Sequence, residues 1–166
     1  MKKNIIFIGM PAVGKSTIGV VTAKRLGYEF VDTDLLIQKQ EKRLLKEIIA
    51  QEGIEGFLQI ENQVNRDLSV EGCVIAPGGS VVYCREAMEH YKETGTVVYL
   101  KASYETIEKR IHSAKNRGVV LKEGQTLRDL YEERVKLFEQ YADYTVCEDK
   151  LSIEETIDRV LELFSS

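Results

Sequence analysis

The sequence predicts an α/β fold: a parallel sheet of about five strands, covered by helices on both faces, in one domain spanning residues 1–166. Three observations carry this. Apolar runs of strand length alternate with longer segments of helical period along the whole chain. No repeat, low-complexity tract or linker interrupts them. The two prolines, Pro11 and Pro77, each begin a Gly-bearing turn just after an apolar run, where such sheets place their sites.

Taken in order, Asn4–Ile8 reads as the first strand and Lys15–Leu26 as a helix stopped by Gly27. Tyr28–Asp32 reads as the second strand. Leu35 to Leu68 is mostly helical, in two or three pieces broken near Glu52-Gly53 and Gly56. Cys73–Ala76 is a short strand of the buried type, closed by Pro77-Gly78-Gly79. Arg85–Lys92 reads as helix, Thr96–Leu100 as strand and Tyr104–Ile111 as helix. Ser113–Gly124 lacks an apolar period and carries basic residues, so it reads as a loop, with a lid at about 112–124. Thr126–Tyr141 is a long helix, Tyr144–Cys147 a last strand and Ile153–Phe164 the closing helix.

Composition narrows the function. A formal net charge of −4 argues against a nucleic-acid binder, which usually carries a basic excess. The apolar run Ile5–Ile8 is too short for a signal-peptide core, and nothing approaches the roughly 20 apolar residues of a membrane span. Cys73, Cys84 and Cys147 form no C-x-x-C pair and fit reduced structural thiols, Cys73 buried. A cytoplasmic protein without a nucleic-acid or membrane partner is expected. No exposed apolar stripe demands a second subunit, so a monomer is expected too.

Gly9-Met10-Pro11-Ala12-Val13-Gly14-Lys15-Ser16 matches G-x-x-x-x-G-K-[ST], between a strand and a helix as that motif requires. Glycines let the backbone turn tightly and approach phosphates. Successive N–H groups and the positive helix end then cradle an anion. Gly9, Ala12, Val13, Gly14, Lys15, Ser16 and Thr17 are therefore the candidate ATP-binding residues. Lys15 supplies charge to the β- and γ-phosphates and Ser16 a hydroxyl to Mg²⁺. The fold is then of the P-loop NTPase type. The guanine-reading Asn-Lys-x-Asp and the switch Asp-x-x-Gly of GTPases are both absent.

The second strand ends in Asp32-Thr33-Asp34, whose two carboxylates point to different sides. One suits Mg²⁺ and the other an acceptor, although Asp34 would also fit an N-cap. With the P-loop and these carboxylates, four further features resemble the shikimate kinases over nearly the whole chain. They are Gly53-x-x-Gly56-Phe57 with Glu61, Gly78-Gly79, Arg117 with Arg134, and Ala142-Asp143. The resemblance implies transfer of the γ-phosphoryl of ATP to the 3-hydroxyl of shikimate, a step toward chorismate and the aromatic amino acids, with Mg²⁺ as cofactor. It implies that Asp34 holds and deprotonates the acceptor hydroxyl and that Asp32, with Ser16, holds the metal. Gly78 and Gly79 would line the acceptor site, and Arg134 would pair with the acceptor carboxylate. Arg117 would reach from the lid to the transferring phosphate, and Arg110 would lie against adenine.

The departures from the family pattern cluster on the acceptor side. Leu58 stands where the family carries an arginine that helps grip the acceptor carboxylate, Ile54 where it carries glutamate, and Ser80 where it carries a third glycine. Losing one charge-assisted contact costs about 1.5–3 kcal/mol unless another group, such as Arg66 or Arg85, compensates. Gly118 follows Arg117 in place of proline, and Phe138 replaces a tyrosine. A kinase acting on another small polyol or hydroxy acid is the alternative these departures favour. A nucleotide-dependent binding module is a third reading, opposed by Asp34 and Arg134, which merely holding ATP does not need. Arg134 beside Glu132-Glu133, Arg110 on a charged helix, and Glu61 also fit plain solvated positions; His90 and His112 read as surface residues.

Overall fold

The computed structural model describes residues 3–113 and 121–165. Among them five strands form one parallel sheet in the order β2-β3-β1-β4-β5. The strands are β1 (Asn4–Ile8), β2 (Glu29–Asp32), β3 (Cys73–Ala76), β4 (Gly95–Lys101) and β5 (Tyr144–Cys147). The helices are α1 (Lys15–Leu26), α2 (Thr33–Glu41), α3 (Leu45–Arg66), α4 (Arg85–Thr94), α5 (Tyr104–Ser113), α6 (Leu127–Tyr141) and α7 (Ile153–Phe164). β1 lies at the centre, pairing with β3 on one side and β4 on the other, and every one of its residues is buried. Asn4 sets part of this register. Its side-chain amide donates to the Val70 carbonyl at 2.8 Å, and its oxygen accepts from the Cys73 N–H at 3.1 Å.

Local chemistry explains where elements stop. α1 ends at Gly27, whose φ of 72° is left-handed, with Lys24 and Arg25 in the last turn facing the negative helix end. The Tyr28 N–H donates back to the Ala23 carbonyl of α1 at 2.8 Å, so β2 begins one residue later than the apolar pattern suggests. α2 starts two residues earlier than predicted because Asp32 caps it. α3 bends where the glycine spacing suggests, at Gly53 (φ 75°, ψ 175°). Thr126 with Asp129 and Ser152 with Glu155 form capping boxes at the starts of α6 and α7.

The apolar side chains separate into two clusters. The larger holds side chains of the three inner strands and Val146 of β5 together with Val13, Ile18, Met88, Tyr91, Ile107, Leu130, Phe138 and Val160. The smaller joins α2 to α3 through Ile37, Ile48, Phe57 and Val64. All three cysteines are unbridged; Cys73 and Cys84 are buried and Cys147 is exposed. His90, expected at the surface, is half-buried with its Nε2 2.6 Å from the Leu68 carbonyl. No helix among the described residues is long and apolar enough to cross a membrane.

Candidate active site

The loop Gly9–Gly14 leaves the carboxyl end of β1, the central strand, and enters α1 directly. Gly14 has φ 86°, a conformation that a side chain would strain. No side chain caps the start of α1, so its first N–H groups face the loop and form an anion site. Lys15 Nζ donates to the carbonyls of Gly9 and Met10 at 2.8 and 2.9 Å, which holds its charge over the loop. The Val13 side chain is in the core, while Ser16 and Thr17 are exposed at the loop mouth. Arg110 Nη1 donates to the Ala12 carbonyl at 3.1 Å and to Glu148 Oε1 at 2.5 Å. It therefore braces the outer turn of the loop, where Ala12 itself has φ 74°. Arg117 lies outside the described residues.

Asp32 and Asp34 divide their tasks. Asp32 Oδ1 accepts from the backbone N–H groups of Asp34 (2.9 Å) and Leu35 (3.3 Å), so Asp32, not Asp34, is the helix cap. Its Oδ2 accepts from Ser16 Oγ at 3.5 Å, which joins the loop to the end of β2. Asp34 is thereby released from any capping role. Its Oδ1 is buried without a hydrogen-bond partner. Burial, reinforced by the Asp32 charge and opposed by Lys15, pushes its carboxyl up to about 6.

A second carboxyl stands beside it. Glu61, which also fitted a solvated position in the sequence, is wholly buried. Its Oε1 accepts from Ser80 Oγ at 2.6 Å, and its Oε2 has no partner. Burial raises it to about 7; the Ser80 hydrogen bond lowers it, the Asp34 charge raises it, and Arg134 lowers it. Gly78 lies between the two acids. A Cβ there would sit 2.9 Å from Asp34 Oδ1 and 3.2 Å from Glu61 Oε2, so only glycine lets both carboxyls approach the backbone. The signal for Glu61 was present in its spacing. Phe57, Glu61, Val64 and Asn65 share one buried helical face.

Arg134 is 8% exposed, not solvated. Leu130 and Phe138, one turn to either side, are buried and anchor its face of α6, with Phe138 stacked on Tyr99 at 5.0 Å. Its guanidinium carbon lies 5.4 Å from the Tyr83 ring centroid, and its Nε is buried without a partner. Asp34, Gly78, Gly79, Ser80 and Arg134 all line one cavity of about 640 Å³. Its opposite wall is apolar and comes largely from α3: Leu45, Ile49, Ile54, Phe57 and Leu58. The departures Ile54, Leu58 and Ser80 thus face the same space. Arg66 and Arg85, offered as compensating cations, do not line it. Arg66 pairs with Asp67 and Glu86, and Arg85 with Glu89.

A triphosphate loop opening beside a cavity sized for a small molecule, with a basic carboxyl at their junction, defines a P-loop kinase of small molecules. The shikimate kinase family model matches residues 11–165. A shikimate kinase of Vibrio parahaemolyticus is 35% identical over 165 residues, covering 98% of this chain and 96% of that protein. One of Persephonella marina is 31% identical over 160 residues, covering 96% of this chain and 97% of that one. The structure of a shikimate kinase from Acinetobacter baumannii in complex with shikimate is 32% identical, with a TM-score of 0.89 over 99% of this chain and 93% of that one. The chain belongs to the shikimate kinase family, and it is an ATP-dependent kinase.

Proposed function

We propose that this chain, acting as one monomeric cytoplasmic domain over residues 1–166, transfers the γ-phosphoryl of ATP to the 3-hydroxyl of shikimate. The observation that carries this is the junction of Asp34 with the cavity. A buried carboxyl raised to about 6 is ionised at neutral pH yet basic enough to accept a hydroxyl proton. In the reaction the acceptor oxygen forms a bond to the γ-phosphorus as the bond to the β-bridging oxygen breaks. ADP leaves and Asp34 takes the proton.

The remaining residues position and neutralise. The N–H groups at the start of α1 hold the phosphates, and Lys15 balances their charge. Arg134, with its unpartnered Nε, receives the acceptor carboxylate. Gly78 and Gly79 let the acceptor lie against backbone. The Ser16 hydroxyl and Asp32 Oδ2, 3.5 Å apart, are oxygen donors suited to Mg²⁺ beside a triphosphate. No group of three or more His, Cys, Asp or Glu that would hold a metal alone occurs among the described residues, so phosphate and water would complete its shell. When bound, Mg²⁺ would neutralise charge on the β- and γ-oxygens.

The test is ADP production from Mg-ATP with and without shikimate. Saturable stimulation, abolished in Asp34→Asn while ATP still binds, is the expected result. ATP binding without stimulation would overturn shikimate as acceptor; tight ATP binding by Lys15→Ala would overturn the loop assignment.

A further inference from the structure

The acceptor cavity is chemically lopsided. Both carboxyls, Asp34 and Glu61, converge on Gly78, and the buried cation Arg134 lies within reach of Glu61's charge. The α3 wall facing them is apolar except at one place, Lys46. Leu58, one of the departures, contributes only hydrocarbon to this wall.

Lys46 sits in the first turn of α3, two residues after the Leu44 cap and just before Glu47, which closes the capping box through the Leu44 N–H at 3.2 Å. A cation there opposes the helix dipole, whose positive end already lies at this turn. Glu47, the neighbour that favours the dipole, is committed to the cap. Lys46 is exposed and has no hydrogen-bond or ion-pair partner among the described residues, whereas Arg43, in the turn just before, is held by Glu41 and Glu52. The arrangement is electrostatically poor without a ligand. An anion in the cavity would correct it by pairing with the lysine and the helix end together.

We propose that Lys46 is a specificity-determining residue that binds the acceptor's carboxylate from the α3 wall, as the partner of Arg134 on α6. This rests on the acceptor being shikimate, a ring that presents a carboxylate and hydroxyls on different carbons. Asp34 takes the reacting hydroxyl, and the carboxylate is gripped between the two cations. The site then selects hydroxy acids over neutral polyols of the same shape, even with leucine at position 58.

The experiment is steady-state kinetics of the whole chain on shikimate and on its analogue with the carboxyl reduced to hydroxymethyl. The variants are Lys46→Met, Lys46→Arg and Lys46→Met with Leu58→Arg. The expected result is a roughly tenfold rise in shikimate KM for Lys46→Met, with kcat and the KM for ATP nearly unchanged. Lys46→Arg should bring KM back, and Leu58→Arg should do so in the double variant by returning a cation to the same wall. KM for the reduced analogue should ignore the lysine. An unchanged shikimate KM in Lys46→Met overturns the proposal, as does an equal loss on both acceptors. So does the effect appearing instead in Lys122→Met, the other exposed lysine of the cavity. Wild-type protein that turns over no shikimate overturns the acceptor itself and this assignment with it.

Discussion

The nucleotide end and the acceptor end of this molecule are built differently. The P-loop extends a strand whose every residue is buried in the main core, and its geometry is mostly backbone. The acceptor wall is the α2–α3 pair, packed on a small cluster of its own and bent at Gly53. Phosphate is recognised by N–H groups that every residue has, so that end is constrained by turns and glycines. The cavity wall is made of side chains, Ile54 and Leu58 from α3 and Ser80 from the turn after β3, so these can differ from the family without disturbing the sheet. The difference teaches that binding the donor and choosing the acceptor are separable here.

The comparison breaks most sharply at Asp34, which faces both ends. Asp34→Asn should lower kcat by about 10²–10⁴-fold, the usual worth of a general base, with ATP affinity retained in a binding titration. If ATP binding fell equally, the two ends would not be separable. Arg134→Met comes next. Removing a buried charge-assisted contact should raise shikimate KM by roughly ten- to hundred-fold, and KM for ATP should stay within about twofold.

The pH profile sharpens the contrast further. Activity should fall as pH drops through about 6, where Asp34 protonates. Stability should move the other way on account of Glu61. Its folded value of about 7 lies above the unfolded 4.5, so the native state binds the proton more tightly. That contribution is fully present below pH 4.5 and is lost as pH rises through about 7. Glu61→Gln should remove it, so the variant should gain up to about 3 kcal/mol relative to wild type between pH 5 and 8. Melting curves at the two pH values check this, and parallel pH dependence of both proteins would contradict it. The smallest effect is expected at Ser80→Ala, which leaves Glu61 Oε1 with only the weak Cys84 thiol donor at 3.9 Å. That should destabilise by about 1 kcal/mol, more at pH 8, where the acid is ionised, than at pH 5.

Much of the fold was legible because the buried strands are short apolar runs and the breaks fall at Gly27, Gly53 and Pro77-Gly78. The misplaced boundaries share one cause. Asp32 reaching forward to cap α2, and Tyr28 reaching back to Ala23, are hydrogen bonds that no apolar period reports. The nucleotide site was equally legible, since its motif is contiguous. The acceptor site was read only in part. Asp34 and Arg134 were singled out and both line the cavity, but Glu61 was left open to a solvated reading although its i, i+4 spacing to Phe57 marks a buried face. Lys46 carried no signal at all. Nothing in Leu45-Lys46-Glu47 tells which way the first turn of α3 faces.

By itself, then, the sequence determined the parallel sheet, the phosphate loop and the family, because each is written in neighbouring residues whose backbone behaviour is local. Only the tertiary structure decided which carboxylate caps and which stays open to react. It also decided that Ser80 serves Glu61, and that Lys46 rather than Arg66 or Arg85 lines the cavity. The cap itself is local, but the burial of Asp34 and the Ser80–Glu61 bond, which spans 19 positions, need distant segments packed together, and charge and burial around the cavity are properties of the assembled wall.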